Sequence, residues 1–250
     1  AGLKADLLRR KNLPEDTDLK KLAYDLTMST VEVEDVEDLA RRFDNMVVGV
    51  IEKIEPHPNA DKLRVCKVDI GGEVKDIVCG GINLKEGMRV AVSCPGATVR
   101  WHGEGEPVVI KNSKLRGVES FGMICASDEI GLGELFPASM EAEILDLSAF
   151  PVPAGTPLAE ALDMNDIILE IDNKSMTNRP DLWGHYGIAR EIAALYDLPL
   201  AEIKPYEADV QSDFKVEIAD PDRCTRYIGV EMSGVEVKPS PYKMQNRIWK

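Results

Sequence analysis

The sequence has no apolar segment long enough to cross a bilayer, which takes roughly 18 to 20 consecutive apolar residues. The longest apolar run, 47–51, is only as long as a strand. Residues 1–11 mix charged and apolar side chains and lack the apolar core of a secretory signal. We therefore expect a cytoplasmic protein that has no membrane partner.

Cysteine and histidine are scarce, at five and three residues in a chain of 250. The cysteines are odd in number and none belongs to a Cys-x-x-Cys pair, so neither a disulfide framework nor a zinc site is expected. Each is expected to be a small buried core residue, and no metal ligands are assigned. They are Cys66, Cys79, Cys94, Cys125 and Cys224.

Basic residues are also fewer than acidic ones, at 30 against 44, which gives a formal net charge of −14. Phosphate contacts need Lys and Arg, so this balance argues against a strongly basic nucleic-acid-binding protein, and DNA is not an expected partner. Between Asn45 and Ser127, however, there are 11 basic and 10 acidic residues. This region can present a basic face, whose affinity for RNA should be weak and sensitive to salt.

Motifs for nucleotide binding and catalysis are missing as well. There is no G-x-x-x-x-G-K-[ST] loop, and Gly103 and Gly105 do not begin a G-x-G-x-x-G turn after a strand. His185 has no serine or cysteine in the sequence pattern with which to form a triad. We therefore predict no catalytic residues and no cofactor-binding residues in this chain.

The middle of the chain has the pattern of an all-β domain. Short runs rich in β-branched residues are separated by turn-forming Gly and Pro, such as the pairs at 71–72, 80–81 and 95–96. Such spacing in about 100 residues predicts a small Greek-key barrel of the OB type. The predicted strands are 47–54, 63–70, 74–79, 89–93, 108–115 and 122–126, with 144–147 as a candidate closing strand.

The flanking segments mix helices and strands. A helix capped by Thr17 or Asp18 is predicted from the spacing of Leu19, Leu22 and Leu26. Proline and glycine at 151–157 mark a boundary after the barrel. The other predicted elements are strand 31–36, a short helix or turn at 36–43, helix 158–164, strand 167–171, helix 181–196, strands 214–218 and 226–232, and a helix after Pro241.

Two segments of the barrel carry candidate RNA contacts. In the first, residues 57–63 (His-Pro-Asn-Ala-Asp-Lys-Leu), prolines stiffen the loop and Lys62 is a candidate phosphate contact. In the second, 111–125, lysines and an arginine surround tight glycine turns, and Phe121 is a candidate platform for a base. A solvated turn and a core or rim aromatic are the alternatives. The candidate RNA-contacting residues are Asn59, Lys62, Arg64, Lys111, Lys114, Arg116 and Phe121.

A further polar block lies after the barrel. Residues 178–181 (Asn-Arg-Pro-Asp) form a turn that leads into a helix, where Asp181 suits the positive helix N-terminus. Arg179, Arg190 and Glu191 can form a polar network or meet a partner chain. A structural junction is the preferred interpretation of this block.

The blocks 57–63 and 114–125, together with 79–83 (Cys-Gly-Gly-Ile-Asn), resemble the OB-type tRNA-binding domain of several aminoacyl-tRNA synthetases. Gly81 departs from that family's usual alanine. With 26–34, 178–191, 223–227 and 239–241 in order, the chain resembles the N-terminal part of the bacterial phenylalanyl-tRNA synthetase β subunit. The usual Trp-Leu segment near that subunit's N-terminus is not seen, and residues 6–8 are a loose match to it.

The resemblance implies an α2β2 ligase that charges tRNA(Phe) with phenylalanine, using ATP and magnesium at an active site on the α subunit. It implies that the β subunit contributes tRNA contacts, assembly surface and an editing pocket. The expected fold is a multidomain α+β chain. An OB barrel (45–150) is inserted in a discontinuous α/β module (1–44 and 151–199), and the truncated start of an editing-type domain follows (200–250). Such a fragment is expected to be inactive by itself.

Two alternatives remain open at the level of sequence. One is a free-standing tRNA-binding OB module, against which the block 178–191 and the editing-like tail argue. The other is a stand-alone hydrolase that clears mischarged tRNA, which needs a completed editing domain. A purely structural role of the barrel is also compatible with membership of a synthetase, and the acidic composition favours it.

Overall fold

The computed structural model describes residues 18–200, 202–204 and 214–250. The helices are α1 (Leu19–Ser29), α2 (Leu158–Ala161), α3 (His185–Leu195) and α4 (Tyr242–Trp249). The strands are β1 (Val33–Asp38), β2 (Met46–Pro56), β3 (Arg64–Asp69), β4 (Val74–Cys79), β5 (Arg89–Ser93), β6 (Thr98–Val99), β7 (Val108–Val109), β8 (Ser113–Leu115), β9 (Val118–Ser120), β10 (Met123–Ile124) and β11 (Ile167–Ile171). None of the described helices is long and apolar enough to span a membrane.

Five antiparallel strands form a nearly closed barrel in the order β10-β5-β2-β3-β4. The eleven-residue β2 lies at the centre and pairs with β5 on one side and β3 on the other, with a bulge between Ile51 and Lys53. The barrel is open between its two edge strands, β10 and β4. The backbone N–H of Phe121, just before β10, donates to the Asp76 carbonyl of β4 at 2.8 Å and narrows this gap. This sheet is consistent with the predicted OB type. The predictions for β2 to β5 were correct to within two residues.

Side chains of β2 alternate between two hydrophobic clusters because successive residues of a strand face opposite sides. Val48 packs outward against α2 residues such as Leu158, whereas Ile51 fills the barrel interior with Cys66 and Val90. Gly49 has no space for a side chain, since a Cβ there would lie 2.6 Å from methyl groups of both Val68 and Val92. The strands on either side of β2 therefore close tightly over that position.

Three predicted barrel strands differ from the structure. The segment 108–115 is two strands, because β7 pairs with β6 while β8 turns away and forms a hairpin with β9. The segment 122–126 is reduced to β10. The candidate closing strand 144–147 makes only a bridge from Asp146 to Val90.

A second, smaller unit is formed by segments on both sides of the barrel. β1 pairs antiparallel with β11, and α1 and α3 pack over them through Leu22, Leu26 and Ile192. The N-terminal helix prediction is confirmed. Asp18 caps α1, with its side chain accepting hydrogen bonds from the amides of Lys20 and Lys21.

The helix predicted at 181–196 is confirmed from His185 to Leu195, but its first turn is not part of it. A 3₁₀ turn, Pro180–Leu182, comes first, and α3 begins only after Gly184, whose φ of 120° interrupts the helix. Leu182 and Ile188 are buried, whereas Tyr186 is 45% exposed. The helix predicted at 158–164 is also shorter, because the chain turns at Asp163 with φ of 52°.

The strands predicted at 214–218 and 226–232 are not formed in the described structure. In 226–232, Tyr227, Ile228 and Val230 are more than two-thirds exposed, whereas in 214–218 Phe214 is 56% and Val216 42% exposed. A strand requires backbone hydrogen bonds to a neighbouring strand. The two segments lie close together, since a Cβ on Gly229 would be 2.7 and 2.8 Å from side-chain atoms of Phe214 and Val216, but they form no such ladder. The helix expected after Pro241 is confirmed as α4, which packs onto the core through Tyr242 and Trp249.

Candidate nucleic-acid interface

The two barrel segments with candidate RNA contacts lie against each other. His57 Nε2 is 3.1 Å from the Leu115 carbonyl, and the Asn59 side-chain amide donates to the Arg116 carbonyl at 2.9 Å. The backbone N–H of Asn59 also donates to His57 Nδ1 at 3.1 Å. Because Nδ1 accepts this bond, Nε2 carries the hydrogen that is donated to Leu115. We call these bonds the loop–hairpin contact.

The hairpin held by this contact turns at Arg116 and Gly117, whose φ values are 46° and 97°. Two consecutive residues with positive φ between paired strands are typical of a type I′ turn, which matches the strand twist. Arg116 is uncommon at such a position for steric reasons. The Asn59 side chain donates a hydrogen bond to the Arg116 carbonyl and therefore holds the turn in place. The guanidinium of Arg116 is left at the exposed tip of the hairpin.

Four of the predicted cations are available to a ligand. Lys62, Lys111, Lys114 and Arg116 are exposed, and none forms an ion pair with another described residue. Arg64 is different, because its guanidinium donates to the carbonyls of Asp61 and Leu63, both at 2.9 Å. We call β8 and β9 with Lys114 and Arg116 the cationic hairpin; Lys62 lies in the loop that contacts it.

Phe121 is half-buried rather than displayed. Lys75 Nζ lies 4.7 Å from its ring centroid, so one face of the ring is occupied by a cation. Phe121 and Lys114 line a hollow together with the acidic residues Asp76 and Glu119. Asn59 likewise has its side-chain amide engaged by the hairpin. The structure thus gives structural contacts to three of the seven predicted RNA-contacting residues, Asn59, Arg64 and Phe121.

Sequence reasoning missed a groove on the other side of the cationic hairpin. It has a volume of about 720 Å³, which lies within the usual size of ligand pockets. Its apolar lining includes Trp101, Val109, Leu115 and Met140, which are 51%, 52%, 40% and 58% exposed. We call it the apolar groove. The available signal was a tryptophan placed in a glycine-containing turn at 100–103.

Charged groups surround the apolar groove unevenly. Lys111 lies on the hairpin side, whereas Asp128, Glu129, Glu141 and Glu143 line the remainder. Burial raises the pKa of the Glu129 carboxyl, opposed by a hydrogen bond from the Ala126 amide. Glu143 accepts hydrogen bonds from the amides of Ser139 and Met140, so its carboxylate is directed at its own loop.

The polar block after the barrel forms one network at a junction. Arg179 forms a two-pronged ion pair with Asp181 at 2.9 and 3.0 Å and reaches Glu191 at 3.1 Å. Arg190 contacts Asp181, and Glu191 accepts the hydroxyl of Thr30, which follows α1. The hydrogen bond from Arg179 lowers the pKa of Asp181 to about 2. This network is partly exposed, and it joins α1, the turn and α3.

The acidic, imidazole and thiol side chains are the groups that could supply catalytic chemistry. Within residues 18–200, 202–204 and 214–250, no group of three or more His, Cys, Asp or Glu is arranged to hold a metal ion. Burial raises the pKa of the thiols of Cys66 and Cys125 to about 12, and that of Cys79 to about 11. These three cysteines are core residues, as the sequence predicted, and they are poor nucleophiles at neutral pH.

Comparison with known proteins gives two independent matches. The family described as "Putative tRNA binding domain" matches residues 46–147, which include the barrel, the cationic hairpin and the whole apolar groove. Proteins named "Phenylalanine--tRNA ligase beta subunit" match nearly the whole chain. The one from Thermosynechococcus vestitus is 39% identical over 96% of this chain, and the one from Pectobacterium atrosepticum is 37% identical over 98%.

The chain spans 28% and 30% of the lengths of these two relatives. Among solved structures, a MetRS-related protein from Pyrococcus horikoshii is 25% identical over 45% of this chain and 87% of its own, with a TM-score of 0.32. A score this low supports no conclusion about a shared function.

Proposed function

The chain belongs to the family of phenylalanine--tRNA ligase β subunits, of which it is an N-terminal part, and we propose on that premise that its barrel binds tRNA. The observation that carries the proposal is the set of exposed, unpaired cations on and beside a hairpin whose position is fixed by hydrogen bonds. Lys62 lies in the loop, and Lys114 and Arg116 in the hairpin, that the loop–hairpin contact joins, and all three are inside the region matched by the tRNA-binding family.

The proposed contact is with the RNA backbone. Lysine and arginine neutralise phosphates without reading sequence, and each contact weakens as salt rises. Lys111, which lines the apolar groove, adds a further positive charge outside the hairpin. Since the whole chain carries a net charge of −14, attraction is confined to this local patch and the affinity should be modest.

The larger assembly is part of the same proposal. We place the chain in an α2β2 ligase in the cytoplasm that charges tRNA(Phe) with phenylalanine, with ATP and magnesium bound at the α subunit. In this proposal the chain contributes tRNA contact and assembly surface and no catalytic group.

The domain organisation remains a proposal too. Pairing of β1 with β11 supports a discontinuous module made of 1–44 and 151–199, with the barrel of 45–150 inserted between its halves. Residues 200–250 would begin an editing-type domain.

A purely structural role for the barrel is the second candidate. The observation that favours it is a shared hydrophobic cluster, in which barrel residues Val48 and Ala91 pack with Leu39, Leu158 and Leu162 of the flanking segments. In that case the barrel would serve to order the subunit, and RNA contact would be absent.

Fluorescence anisotropy with labelled tRNA(Phe) at low salt distinguishes the two candidates. The triple variant Lys62→Gln, Lys114→Gln, Arg116→Gln should weaken binding by at least about ten-fold at low salt, because three phosphate contacts and the counterions they release are lost. Lys85→Gln removes an exposed lysine elsewhere on the barrel and should leave affinity unchanged. Absence of binding by the unaltered chain would refute the tRNA role and leave the structural one.

A further inference from the structure

The side chain of Trp101 is unusually available for a tryptophan inside a folded domain. Half of it is exposed, and its neighbours in the apolar groove, Val109, Leu115 and Met140, are also 40% or more exposed. Tryptophan is normally highly buried, and adjoining exposed apolar side chains usually mark an interaction site. These residues form a continuous concave surface next to the cationic hairpin, to which Leu115 also belongs.

The backbone holds Trp101 in this position firmly. It begins a short 3₁₀ turn in which the Gly103 amide donates to the Arg100 carbonyl and the Glu104 amide to the Trp101 carbonyl, at 3.0 and 3.1 Å. The Arg100 amide donates to the Glu129 carbonyl at 2.9 Å, which ties the turn to the neighbouring one. The indole is therefore presented from a fixed turn rather than from a long loose loop.

We infer that the apolar groove binds one unpaired base of the tRNA, stacked on Trp101, while the adjacent phosphates lie on the cationic hairpin. This inference rests on the proposed tRNA binding and adds to it the place where a base is held. Proteins hold single strands by combining a cationic path for the backbone with aromatic platforms for the bases. Here the two parts lie side by side, with Leu115 common to both.

The acidic groups of the groove determine what can enter it. Asp128, Glu129, Glu141 and Glu143 would repel a phosphate, and Lys111 is the cation on the hairpin side. An uncharged base can enter where a phosphate cannot, and carboxylates accept hydrogen bonds from exocyclic amino groups. Because Asp128 and Glu129 are close to the Trp101 turn, the groove should prefer adenine or cytosine to uracil.

A protein segment with apolar and cationic side chains is the other kind of occupant for such a groove. The match of residues 46–147 to a tRNA-binding family, which covers every lining residue, favours RNA over a peptide. The two occupants respond differently to the same variants, so the test includes both.

The test uses the full chain, labelled tRNA(Phe), and short oligo(A), oligo(C) and oligo(U) as competitors. Trp101→Ala should weaken tRNA binding by about five-fold or more, the lower limit for losing one base stack. Trp101→Phe should recover much of the loss, because a ring remains. Trp183→Ala, which removes a tryptophan that is 60% exposed outside the barrel, should change nothing.

Further readouts separate stacking from charge and folding. Oligo(A) and oligo(C) should quench the Trp101 emission and compete better than oligo(U), and the salt dependence should be the same in Trp101→Ala. Thermal unfolding of each variant checks that the fold is kept. If tRNA binds the unaltered chain and Trp101→Ala equally, the inference is wrong and the tRNA role stands.

If the unaltered chain binds no tRNA, the proposed function and this inference both fall. The alternative occupant is tested with a basic amphipathic peptide of leucine and lysine. If this peptide binds the unaltered chain but not Trp101→Ala, and the two proteins bind tRNA equally, the groove is a protein-binding site and the inference is overturned.

Discussion

His57 Nε2 donates to the carbonyl of Leu115, fifty-eight residues further along the chain, at 3.1 Å. His57 is 6% exposed, so this bond is shielded from water and its loss is not compensated by solvent. The relationship explains why the two segments with candidate RNA contacts occur together. The first segment, 57–63, supplies the hydrogen-bond donors His57 and Asn59. The second, 111–125, supplies the hairpin that these donors hold in place.

Removing the imidazole should therefore destabilise the protein and disturb RNA binding together. We expect His57→Ala to lower the free energy of unfolding by about 1 to 3 kcal/mol, the usual loss when a buried partner is left unpaired. Urea denaturation measures this change. His102→Asn is the control, because His102 has a φ of 52° that Asn tolerates and lies outside the loop–hairpin contact. Equal stability of His57→Ala and the unaltered chain would contradict the role of the contact.

The ion pairs of Asp181 should make stability depend on acid pH. Its folded pKa of about 2 lies below the ordinary value of 3.8, so the carboxylate contributes stability that is fully present above about pH 4. That contribution is lost as pH falls through 2. The stability difference between the unaltered chain and Asp181→Asn should thus shrink between pH 4 and pH 2, as measured by denaturation midpoints. Asp181→Asn made in an Arg179→Gln background, where the hydrogen bond that lowers the pKa is absent, should show a weaker trend. A constant difference for Asp181→Asn in the unaltered background would contradict the assignment.

Thiol reactivity should follow burial. Cys66, Cys79 and Cys125 have pKa values raised to about 12, 11 and 12 by desolvation, and they are buried. In the native protein at neutral pH they should react with a disulfide reagent at least a hundred-fold more slowly than after unfolding in urea. Cys224→Ser removes a half-buried thiol of the C-terminal segment. It should leave the slow labelling of the three buried cysteines unchanged. Rapid native labelling of Cys125 would show that the barrel opens.

Docking of α4 depends on a buried asparagine. Asn246 is 2% exposed and donates to the carbonyls of Leu162 and Asp163 at 3.1 and 3.3 Å, while the Tyr242 hydroxyl donates to Leu162 at 2.7 Å. Asn246→Asp replaces a donor by a carboxylate facing carbonyl oxygens. It should cost about 2 kcal/mol or more and speed hydrogen exchange at 162–167. Lys243→Gln changes the net charge equally at an exposed position of α4 and should have little effect.

Local patterns in the sequence were sufficient for much of the fold. The alternation and β-branched content of 74–79 and 89–93 predicted β4 and β5 with their observed bounds, and 167–171 predicted β11 likewise. The apolar spacing and Asp18 cap predicted α1. In each case the determining interactions are within the segment or with an immediate neighbour, so they leave a periodic trace in the chain.

The remaining features depend on contacts between distant segments. Asn59 was predicted as an RNA contact, but its amide is engaged by Arg116, fifty-seven residues away. The apolar groove joins Trp101, Leu115 and Met140 from three separate segments, and no periodicity marks such a combination. The β-branched run at 226–232 predicted a strand that is not formed, because a side-chain pattern does not by itself supply the backbone hydrogen bonds that a strand requires.

The most direct test of the tRNA role is the salt dependence of tRNA(Phe) binding by the unaltered chain and by the triple variant of Lys62, Lys114 and Arg116. Each phosphate contact contributes close to one unit to the slope of log affinity against log salt. We predict a slope of about −3 to −4 for the unaltered chain and a slope about 2 to 3 units shallower for the variant. Binding with the same slope in both proteins would contradict the account, because the cations at the loop–hairpin contact would then take no part in holding the RNA.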